Sequence, residues 1–305
     1  MTRGGEQPEA RRRRKRVRRW AVRGIVLLFA VGYLKFVGFD GQFYYPDRRQ
    51  YDRPGDFGLV HEEVRFRTRD GVELAGWWLP AQSGTSRPPA ESAARGIVVH
   101  FHGNAANISA HVALVEWLPR AGYHVLMFDY RGFGDSAGRV TRAGTIADGH
   151  AALDYALGRP EARELPVFFY GQSLGGAVAI VVAADRPDVR AVVAESTFGS
   201  YRGIAACHVR QLVRAQWLAD LIARAGISAG YDALDAVHRL SPRPLFVIAA
   251  EDDEICFPEL GRALYDAAGE PKAFWLVPGA EHLGILNAAG DELARRVTAF
   301  FDKAP

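Results

Sequence analysis

The residues best suited to nucleophilic chemistry are Gly171–Gly175, which read Gly-Gln-Ser-Leu-Gly. The apolar, β-type run Val167–Tyr170 precedes them, and an Ala/Val-rich helical stretch follows. A strand that turns sharply into a helix exposes the central serine at the strand's carboxyl end, above a helix N-terminus. The flanking positions of so tight a turn cannot carry bulk, which accounts for Gly171 and Gly175. The pattern predicts Ser173 as a nucleophile, and the alternative is a chance Gly/Ser turn.

A serine hydroxyl becomes a good nucleophile next to a general base, and the base needs a carboxylate to orient it. Three histidines follow Ser173 in the chain, namely His208, His238 and His282. The first two lie in predicted helices between strands, whereas His282 follows the last predicted strand. Its loop would lie over the sheet edge that carries the serine. We therefore predict His282 as the general base, with an ordinary surface histidine as the alternative.

The orienting carboxylate is expected between the serine and the histidine, after the predicted strand Pro244–Ala249. Four acidic residues run there from Glu251 to Glu254. Neighbouring carboxylates repel one another, so such a run favours solvent exposure or a functional use. Spacing alone does not select one of the four. Glu195, at the end of another predicted strand, is a further candidate, although a carboxylate that anchors a loop is the more common case.

The turn His100–Asn107 leaves another predicted strand through small residues. In serine hydrolases built on such a sheet, this turn supplies one backbone N–H to the oxyanion, and the residue after the nucleophile supplies the second. Asn104 and Leu174 are the predicted donors. Each such donor typically stabilises the transition state by ~3 kcal/mol.

Two further polar groups have simpler interpretations. His100 and His102 are predicted to brace their loop by hydrogen bonds, because no third ligand indicates a metal site. The loop Asp129–Ser136 is predicted to be held by an ion pair between Asp129 and Arg131. No metal and no organic cofactor is expected.

The elements that must position these residues follow from the apolar pattern. Short apolar runs rich in β-branched and aromatic residues alternate with helical stretches, which predicts a parallel sheet covered on both faces. A hairpin formed by His61–Arg67 and Val72–Trp78 precedes them and adds an antiparallel edge. The chain is therefore predicted to be a doubly wound α/β fold. The apolar runs are Gly96–Phe101, His124–Phe128, Pro166–Tyr170, Ala191–Ala194, Pro244–Ala249 and Ala273–Val277. The helical stretches are Ile108–Ala121, Arg142–Leu157, Leu174–Ala184, Pro258–Ala268 and Ala288–Phe301.

Residues 198–240 lie between two predicted strands and are expected to form a cap-like insertion. Apolar residues recur every four positions there, which predicts an amphipathic helix. This stripe consists of Val209, Val213, Trp217 and Leu221. Packing against the sheet is the favoured interpretation, and an apolar wall for an acyl chain is the alternative.

The net charge of +3 is unevenly distributed along the chain. Residues 1–23 contain ten Arg or Lys and two acidic residues, whereas the remainder contains 28 basic and 33 acidic residues. The body is therefore slightly acidic, and nothing in it indicates nucleic-acid binding.

An apolar stretch, Trp20–Phe39, follows the basic run. Twenty helical residues at ~1.5 Å each just cross a ~30 Å hydrocarbon core. We predict a transmembrane signal-anchor at 20–39, a cytoplasmic basic tail at 1–19, a linker at 40–60 and a catalytic domain at 61–305 outside the cytoplasm. A cleaved signal peptide and an amphipathic segment on the membrane surface are the alternatives.

Several blocks of this sequence resemble the membrane-anchored α/β-hydrolase domain-containing serine hydrolases and their bacterial relatives. The blocks are His100–Ser109, Phe128–Gly138, Gly171–Gly176 and Ala194–Tyr201, with Asp70–Pro80 and Pro278–His282. The resemblance covers about residues 40–305. It implies an α/β-hydrolase fold and supports the signal-anchor.

The same resemblance implies that Asp253 is the acid. The family pattern Gly-x-x-Asp-x-x-Val-Pro is similar to Ala250–Phe257, but its Gly and Pro are replaced here by Ala and Phe. Because of that departure, Asp252 stays open as the alternative acid.

The expected function is hydrolysis of small-molecule carboxylic esters or thioesters through an acyl-Ser173 intermediate, without a cofactor. A peptidase of the same fold is one alternative. A non-catalytic binding protein of the same fold is the other, and the intact order of serine, acid and histidine argues against it. The expected partners are the small-molecule ester or thioester substrate and, through the N-terminal helix, the lipid bilayer.

Overall fold

The computed structural model of the chain describes residues 40–82, 94–213 and 215–305. The predicted basic tail at 1–19 and the predicted anchor at 20–39 lie outside these ranges. Within the described ranges, no helix combines the length and the apolar character needed to cross a bilayer.

Ten strands form the framework of the part of the chain that the structure describes. They are β1 (Tyr45–Pro46), β2 (Glu62–Arg67), β3 (Glu73–Leu79), β4 (Gly96–Phe101), β5 (Ala105–Ala106), β6 (Tyr123–Phe128), β7 (Val167–Gln172), β8 (Val189–Glu195), β9 (Leu245–Ala250) and β10 (Lys272–Val277). Eight of them make one sheet in the order β10-β9-β8-β7-β4-β6-β3-β2. Only β2 pairs with β3, and β3 with β6, in antiparallel fashion. This is the mostly parallel sheet with an antiparallel edge hairpin that the apolar runs predict.

The described helices cover both faces of this sheet. They are α1 (Ile108–Val115), α2 (Trp117–Arg120), α3 (Arg142–Gly158), α4 (Leu174–Ala184), α5 (Tyr201–Leu212), α6 (Gln216–Gly226), α7 (Ala233–Ala236), α8 (Pro258–Ala267) and α9 (Ile285–Asp302). Side chains of α3, α4 and α8 join one apolar core, and those of α1, α2 and α9 join the other. Central strands such as β4, β7 and β9 are buried along their whole length, because helices lie on both sides of them.

The predicted helix Ile108–Ala121 is in fact two helices, α1 and α2. The second contains Pro119, which has no N–H to donate to the carbonyl of Val115, four residues earlier. The first helix accordingly ends at that residue. The predicted helical stretch is therefore divided in two at this point, although the apolar period runs on across the break.

The segment at 40–60, predicted as a linker, lies against the body of the protein. Tyr45 and Ala105 pair in a short parallel ladder between β1 and β5. The Asn107 side-chain amide donates to the carbonyls of Asp47, at 3.3 Å, and Arg49, at 2.8 Å. The segment is therefore fastened to the turn that follows β4.

The cap-like insertion at 198–240 contains the hairpin α5–α6 and the short α7. Its apolar stripe does not form one helix, because the chain is extended at Val213, between the two helices. Packing of the stripe against the sheet was wrong for Trp217, whose exposed fraction is 66%. The small residues Ala219, Ala223 and Gly226 form the buried side of α6 instead.

Candidate active site

Ser173 lies at the sharp turn between β7 and α4. Its φ of 54° and ψ of −121° are unusual for a residue with a side chain. The Ser173 N–H donates to the Glu195 carbonyl at 2.9 Å, and the Thr197 hydroxyl donates to the Ser173 carbonyl at 2.7 Å. These two bonds to the end of β8 hold the strained backbone in place.

The glycines of this turn allow three backbone segments to meet, at the ends of β4 and β7 and at the start of α4. A β-carbon on Gly175 would lie 2.0 Å from the carbonyl oxygen of Phe101, at the end of β4. A β-carbon on Gly171 would lie 2.5 Å from the Gly175 carbonyl oxygen. Both separations are far inside van der Waals contact, so only glycine fits at these two positions.

His282 and Asp253 form a close pair after the last two strands. His282 Nδ1 lies 2.8 Å from Asp253 Oδ2 and 3.0 Å from Oδ1. The carboxylate is buried, and its Oδ1 also accepts the N–H groups of Ile255 at 2.9 Å and Cys256 at 2.7 Å. A carboxylate held in this way fixes the orientation and the tautomer of the imidazole.

The other acidic candidates have different surroundings. The side chain of Asp252 is exposed, and its backbone N–H donates to the Ala280 carbonyl at 2.9 Å. Glu195 is buried beneath the turn, where it accepts from the Tyr170 hydroxyl and, at 3.2 Å, from the Gln172 amide. Asp253 is therefore the acid that geometry pairs with His282.

The Ser173 hydroxyl contacts a residue that the sequence analysis did not single out. Its Oγ lies 3.7 Å from the Cys256 sulfur, and no hydrogen bond joins Ser173 to His282 within the described parts of the chain. Burial and the neighbouring Asp253 carboxylate raise the pKa of the Cys256 thiol, so the group stays neutral. The thiol is therefore a side-chain neighbour of the Ser173 hydroxyl in this structure.

The predicted oxyanion donors flank the same serine. A β-carbon on Gly103 would lie 3.7 Å from Ser173 Cβ, which shows how closely the turn after β4 approaches the nucleophile. The carbonyl of Asn104 accepts the Tyr45 N–H at 2.8 Å, which holds this turn against β1. The N–H groups of Asn104 and Leu174 donate to no acceptor in the ranges that the structure describes, so both are available to a ligand.

A series of hydrogen bonds between buried side chains lies beneath the turn at Ser173. His100 Nε2 lies 3.1 Å from the Gln172 amide oxygen, and the amide nitrogen donates to Glu195. Burial lowers the pKa of His100 to about 3 and raises that of Glu195. His100 is thus a neutral bracing group, as predicted from the lack of a third ligand.

The predicted pair of Asp129 and Arg131 does not form. Arg131 pairs instead with Asp70 and Asp148, each at 2.8 Å. Asp129 points inward and accepts the Ile108 N–H at 2.8 Å. The two residues diverge because Asp129 packs under the backbone at position 134, where a β-carbon would lie 2.1 Å from its carboxylate.

Among the described residues, no cluster of three or more His, Cys, Asp or Glu side chains is arranged to hold a metal ion. His102 Nε2 lies 3.6 Å from Asp129 Oδ1, which is beyond hydrogen-bonding distance. Burial lowers its pKa well below the ordinary value, so this ring too is neutral.

Comparison with known proteins finds a matching family and similar proteins in other organisms. A family described as serine aminopeptidase, S33, matches residues 92–233. The uncharacterized protein YfhR of Escherichia coli O157:H7 is 36% identical over 248 residues, which cover 80% of this chain and 80% of that protein. The uncharacterized protein Rv2307c of Mycobacterium tuberculosis is 32% identical over 270 residues, covering 88% and 89%.

The fold also matches solved structures. The esterase Pf2001 of Pyrococcus furiosus superposes with a TM-score of 0.69 at 23% identity, covering 86% of this chain and 98% of that one. The sheet order, the tight turn at Ser173 and these relatives together show that the chain belongs to the α/β-hydrolase superfamily, as a hydrolase of that fold.

Proposed function

We propose that the protein is a serine hydrolase that cleaves carboxylic esters or thioesters through an acyl-Ser173 intermediate. The observation that carries this proposal is the buried Asp253 carboxylate, 2.8 Å from His282 Nδ1. With Nδ1 occupied in this way, Nε2 is the nitrogen left to accept a proton.

In the first step, the Ser173 hydroxyl turns from the Cys256 sulfur towards His282 and gives its proton to Nε2. The Ser173 oxygen bonds to the acyl carbon, whose carbonyl oxygen becomes an oxyanion. The N–H groups of Asn104 and Leu174 donate to that oxyanion, and the α4 N-terminus adds a favourable dipole. His282 then protonates the leaving alcohol or thiol as its bond to the acyl carbon breaks.

The second half-reaction reverses these roles. A water molecule gives a proton to His282 and bonds to the acyl carbon, and the resulting oxyanion uses the same donors. As the acyl–oxygen bond breaks, His282 returns a proton to Ser173 and the carboxylic acid leaves. Every step uses only groups of this chain and water.

A peptidase is the second candidate, because the matching family is described as a serine aminopeptidase. The two activities use the same Ser173 chemistry and differ in the leaving group, an alcohol or thiol in one case and an amine in the other. Assays with matched acyl esters and N-terminal aminoacyl amides separate them.

A fluorophosphonate probe tests the proposed nucleophile. We expect labelling on the peptide that contains Ser173, and none in Ser173→Ala. Ser241→Ala, which changes a serine near β9, is the matched control and should label normally. Labelling that persists in Ser173→Ala would reject the mechanism, whatever the substrate.

We further propose that residues 20–39 anchor the protein in a membrane, with the domain outside the cytoplasm. The basic run before the apolar stretch supports this orientation. In intact spheroplasts, an added protease should degrade the domain, whereas a tag fused before Met1 should stay protected. The reverse pattern would place the domain in the cytoplasm and reject the proposed orientation.

A further inference from the structure

The connection between α5 and α6 carries apolar side chains that the body does not cover. We call Leu212, Val213, Trp217 and Leu218 the cap tip. The exposed fractions of Leu212 and Trp217 are 85% and 66%, and the other two side chains are half-buried. Large apolar side chains clustered at one exposed position mark a surface that contacts something other than water.

The packing of α6 explains why these side chains are exposed. Its buried side consists of Ala219, Ala223 and Gly226, which let the helix lie close to its neighbours. The larger residues Trp217 and Leu221 lie away from that side and are exposed or half-buried. An ordinary core helix buries its large apolar residues, and α6 reverses this arrangement.

The charges around the cap tip favour one class of partner. Residues 210–219 contain no Asp or Glu, and the exposed Arg210 lies on the last turn of α5. An exposed tryptophan beside arginine and aliphatic residues suits the interface between lipid headgroups and acyl chains. Arginine there also meets the headgroup phosphates.

The first described residues of the chain lie beside the base of the α5–α6 hairpin. The ring of Phe43 packs against Tyr201, at the start of α5, with 5.2 Å between ring centroids. Gly41 borders the same cavity as Ser228 and Tyr231, just after α6. The described chain therefore begins near the base of the α5–α6 hairpin, and the basic run and the apolar stretch precede this point in the sequence.

The hairpin also lies beside the candidate active site. The His208 ring on α5 lies 3.0 Å from the Ile255 carbonyl through Nε2 and packs against Phe257. Ile255 belongs to the loop that carries Asp253, and 49% of this isoleucine is exposed. A membrane that meets the cap tip would thus lie next to this loop.

We propose that the cap tip docks in the headgroup region of a lipid bilayer, as a second contact besides the N-terminal segment. The α5–α6 hairpin, about 16 Å long from the rise of an 11-residue helix, then holds the site near the membrane surface. This docking does not depend on the hydrolase activity.

Fluorescence quenching tests the contact directly. The full chain with Trp20→Phe is reconstituted in phosphatidylcholine vesicles, with or without brominated acyl chains. Trp77, Trp78 and Trp117 are buried in the protein, and Trp275 is half-buried with the Arg296 guanidinium over its ring. Trp217, with an exposed fraction of 66%, is therefore the tryptophan best placed to meet lipid. We expect bromine to quench part of the emission, and a further Trp217→Phe change to remove that quenching.

Two results would overturn the proposal. One is equal quenching with and without Trp217, because the cap tip would then not meet the lipid. The other is an emission shift that appears without lipid and grows with protein concentration, because a second copy of the chain would then cover the cap tip.

A paired assay measures the consequence for turnover. Leu212→Ser with Trp217→Ser should slow hydrolysis of a long-chain ester carried in vesicles by about tenfold, because two apolar side chains no longer leave water when the cap tip meets the bilayer. Hydrolysis of a short soluble ester should not change. Val60→Ser is the matched control, because the exposed fraction of Val60 is also 66%. Val60 precedes β2 at the amino ends of the parallel strands, whereas the candidate site lies at their carboxyl ends.

An equal loss on both esters, or no loss on either, would contradict docking at the cap tip. If no ester is hydrolysed by the parent protein, the proposed ester or thioester activity fails while the quenching measurement still decides the docking.

Discussion

The two halves of the candidate site are built in different ways. The elbow half comprises the turns after β4 and β7, and the loop half comprises residues 251–257 and 278–284. In the elbow half, backbones touch one another and the polar side chains are buried and neutral. In the loop half, one buried carboxylate, Asp253, lies among exposed acids and is held by two N–H groups and His282.

This difference shows that Ser173 and Asp253, the proposed nucleophile and acid, are positioned by separate kinds of interaction. Backbone contact leaves no room for substitution in the elbow half, whereas hydrogen bonds to a single carboxylate position the loop half. Neighbouring residues of the loop half can therefore vary. The replacement of the family's Gly and Pro by Ala250 and Phe257 is consistent with this freedom.

Gly175→Ala should have the largest effect of the substitutions that probe this difference. Its β-carbon would lie 2.0 Å from the Phe101 carbonyl oxygen, so either the turn moves or the protein fails to fold. We expect a loss of activity of about a thousandfold or more, since positioning of the nucleophile is lost. Expression yield, Tm and ester turnover measure it.

Gly279→Ala, in the loop half, is the matched control. Its φ is +65° and a β-carbon would meet nothing within 4 Å, so only backbone strain of about 1 kcal/mol is expected. If the two alanine variants behaved alike, the contrast between the halves would not hold.

Asp253→Asn should lower kcat by about a thousandfold, because an amide no longer selects the required tautomer of His282. Asp252→Asn should change kcat by less than about twofold, because the Asp252 side chain is exposed and substitutions of exposed side chains have small effects. Steady-state turnover of a soluble ester, with circular dichroism to verify folding, decides between them. Similar losses in both variants would place the acid function on the whole acidic run rather than on Asp253.

Asp129 follows β6, and its Oδ1 lies 3.6 Å from His102 Nε2, so it tests the buried, neutral character of the groups next to the elbow half. Burial raises the pKa of this carboxyl from 3.8 to about 7. Between these values the folded protein keeps the proton and the unfolded chain loses it, so the free energy of unfolding falls as pH rises through this window. We expect Asp129→Asn to reduce the accompanying loss of Tm by roughly 10 °C, since linkage over this window amounts to ~4 kcal/mol and a domain of this size changes its Tm by ~2–4 °C per kcal/mol.

Thermal unfolding of the full chain at about pH 4 and about pH 7 measures this effect. These two pH values are close to the unfolded-state and folded-state pKa values of Asp129, between which the linkage acts. Asp291→Asn, on the exposed side of α9, is the control and should leave the pH dependence as it is. An unchanged pH dependence in Asp129→Asn would show that this carboxyl is ionised in the folded protein.

Cys256→Val should have the smallest effect. The change removes a weak contact of 3.7 Å with the Ser173 hydroxyl and frees that hydroxyl to meet His282. We expect kcat to rise by up to about threefold, since a weak hydrogen bond contributes ~0.5–1 kcal/mol. Cys207→Val, on α5, is the control, and a clear loss of kcat in Cys256→Val alone would mean that the thiol assists catalysis.

Most of the fold could be predicted from local pattern. Gly96–Phe101 and Leu174–Ala184 have the bounds that the apolar runs predict, because continuous apolar strands and small-residue helices are local signals. The pairing of Arg131 could not be predicted, because its partner Asp148 comes from a helix 17 residues further along the chain. The exposed position of Trp217 escaped prediction as well, because periodicity does not reveal which side of a helix the body covers.

The sequence by itself determined the turn at Ser173, the order of serine, acid and histidine, and the alternation of strands and helices. These features depend on residue size, backbone freedom and apolar period, which act over a few neighbouring positions. Only the tertiary structure decided that Asp253 rather than Asp252 contacts His282 and that the Cys256 thiol lies beside the Ser173 hydroxyl. Those outcomes depend on how separate loops meet at one sheet edge, and the distance between loops is a property of the packed molecule.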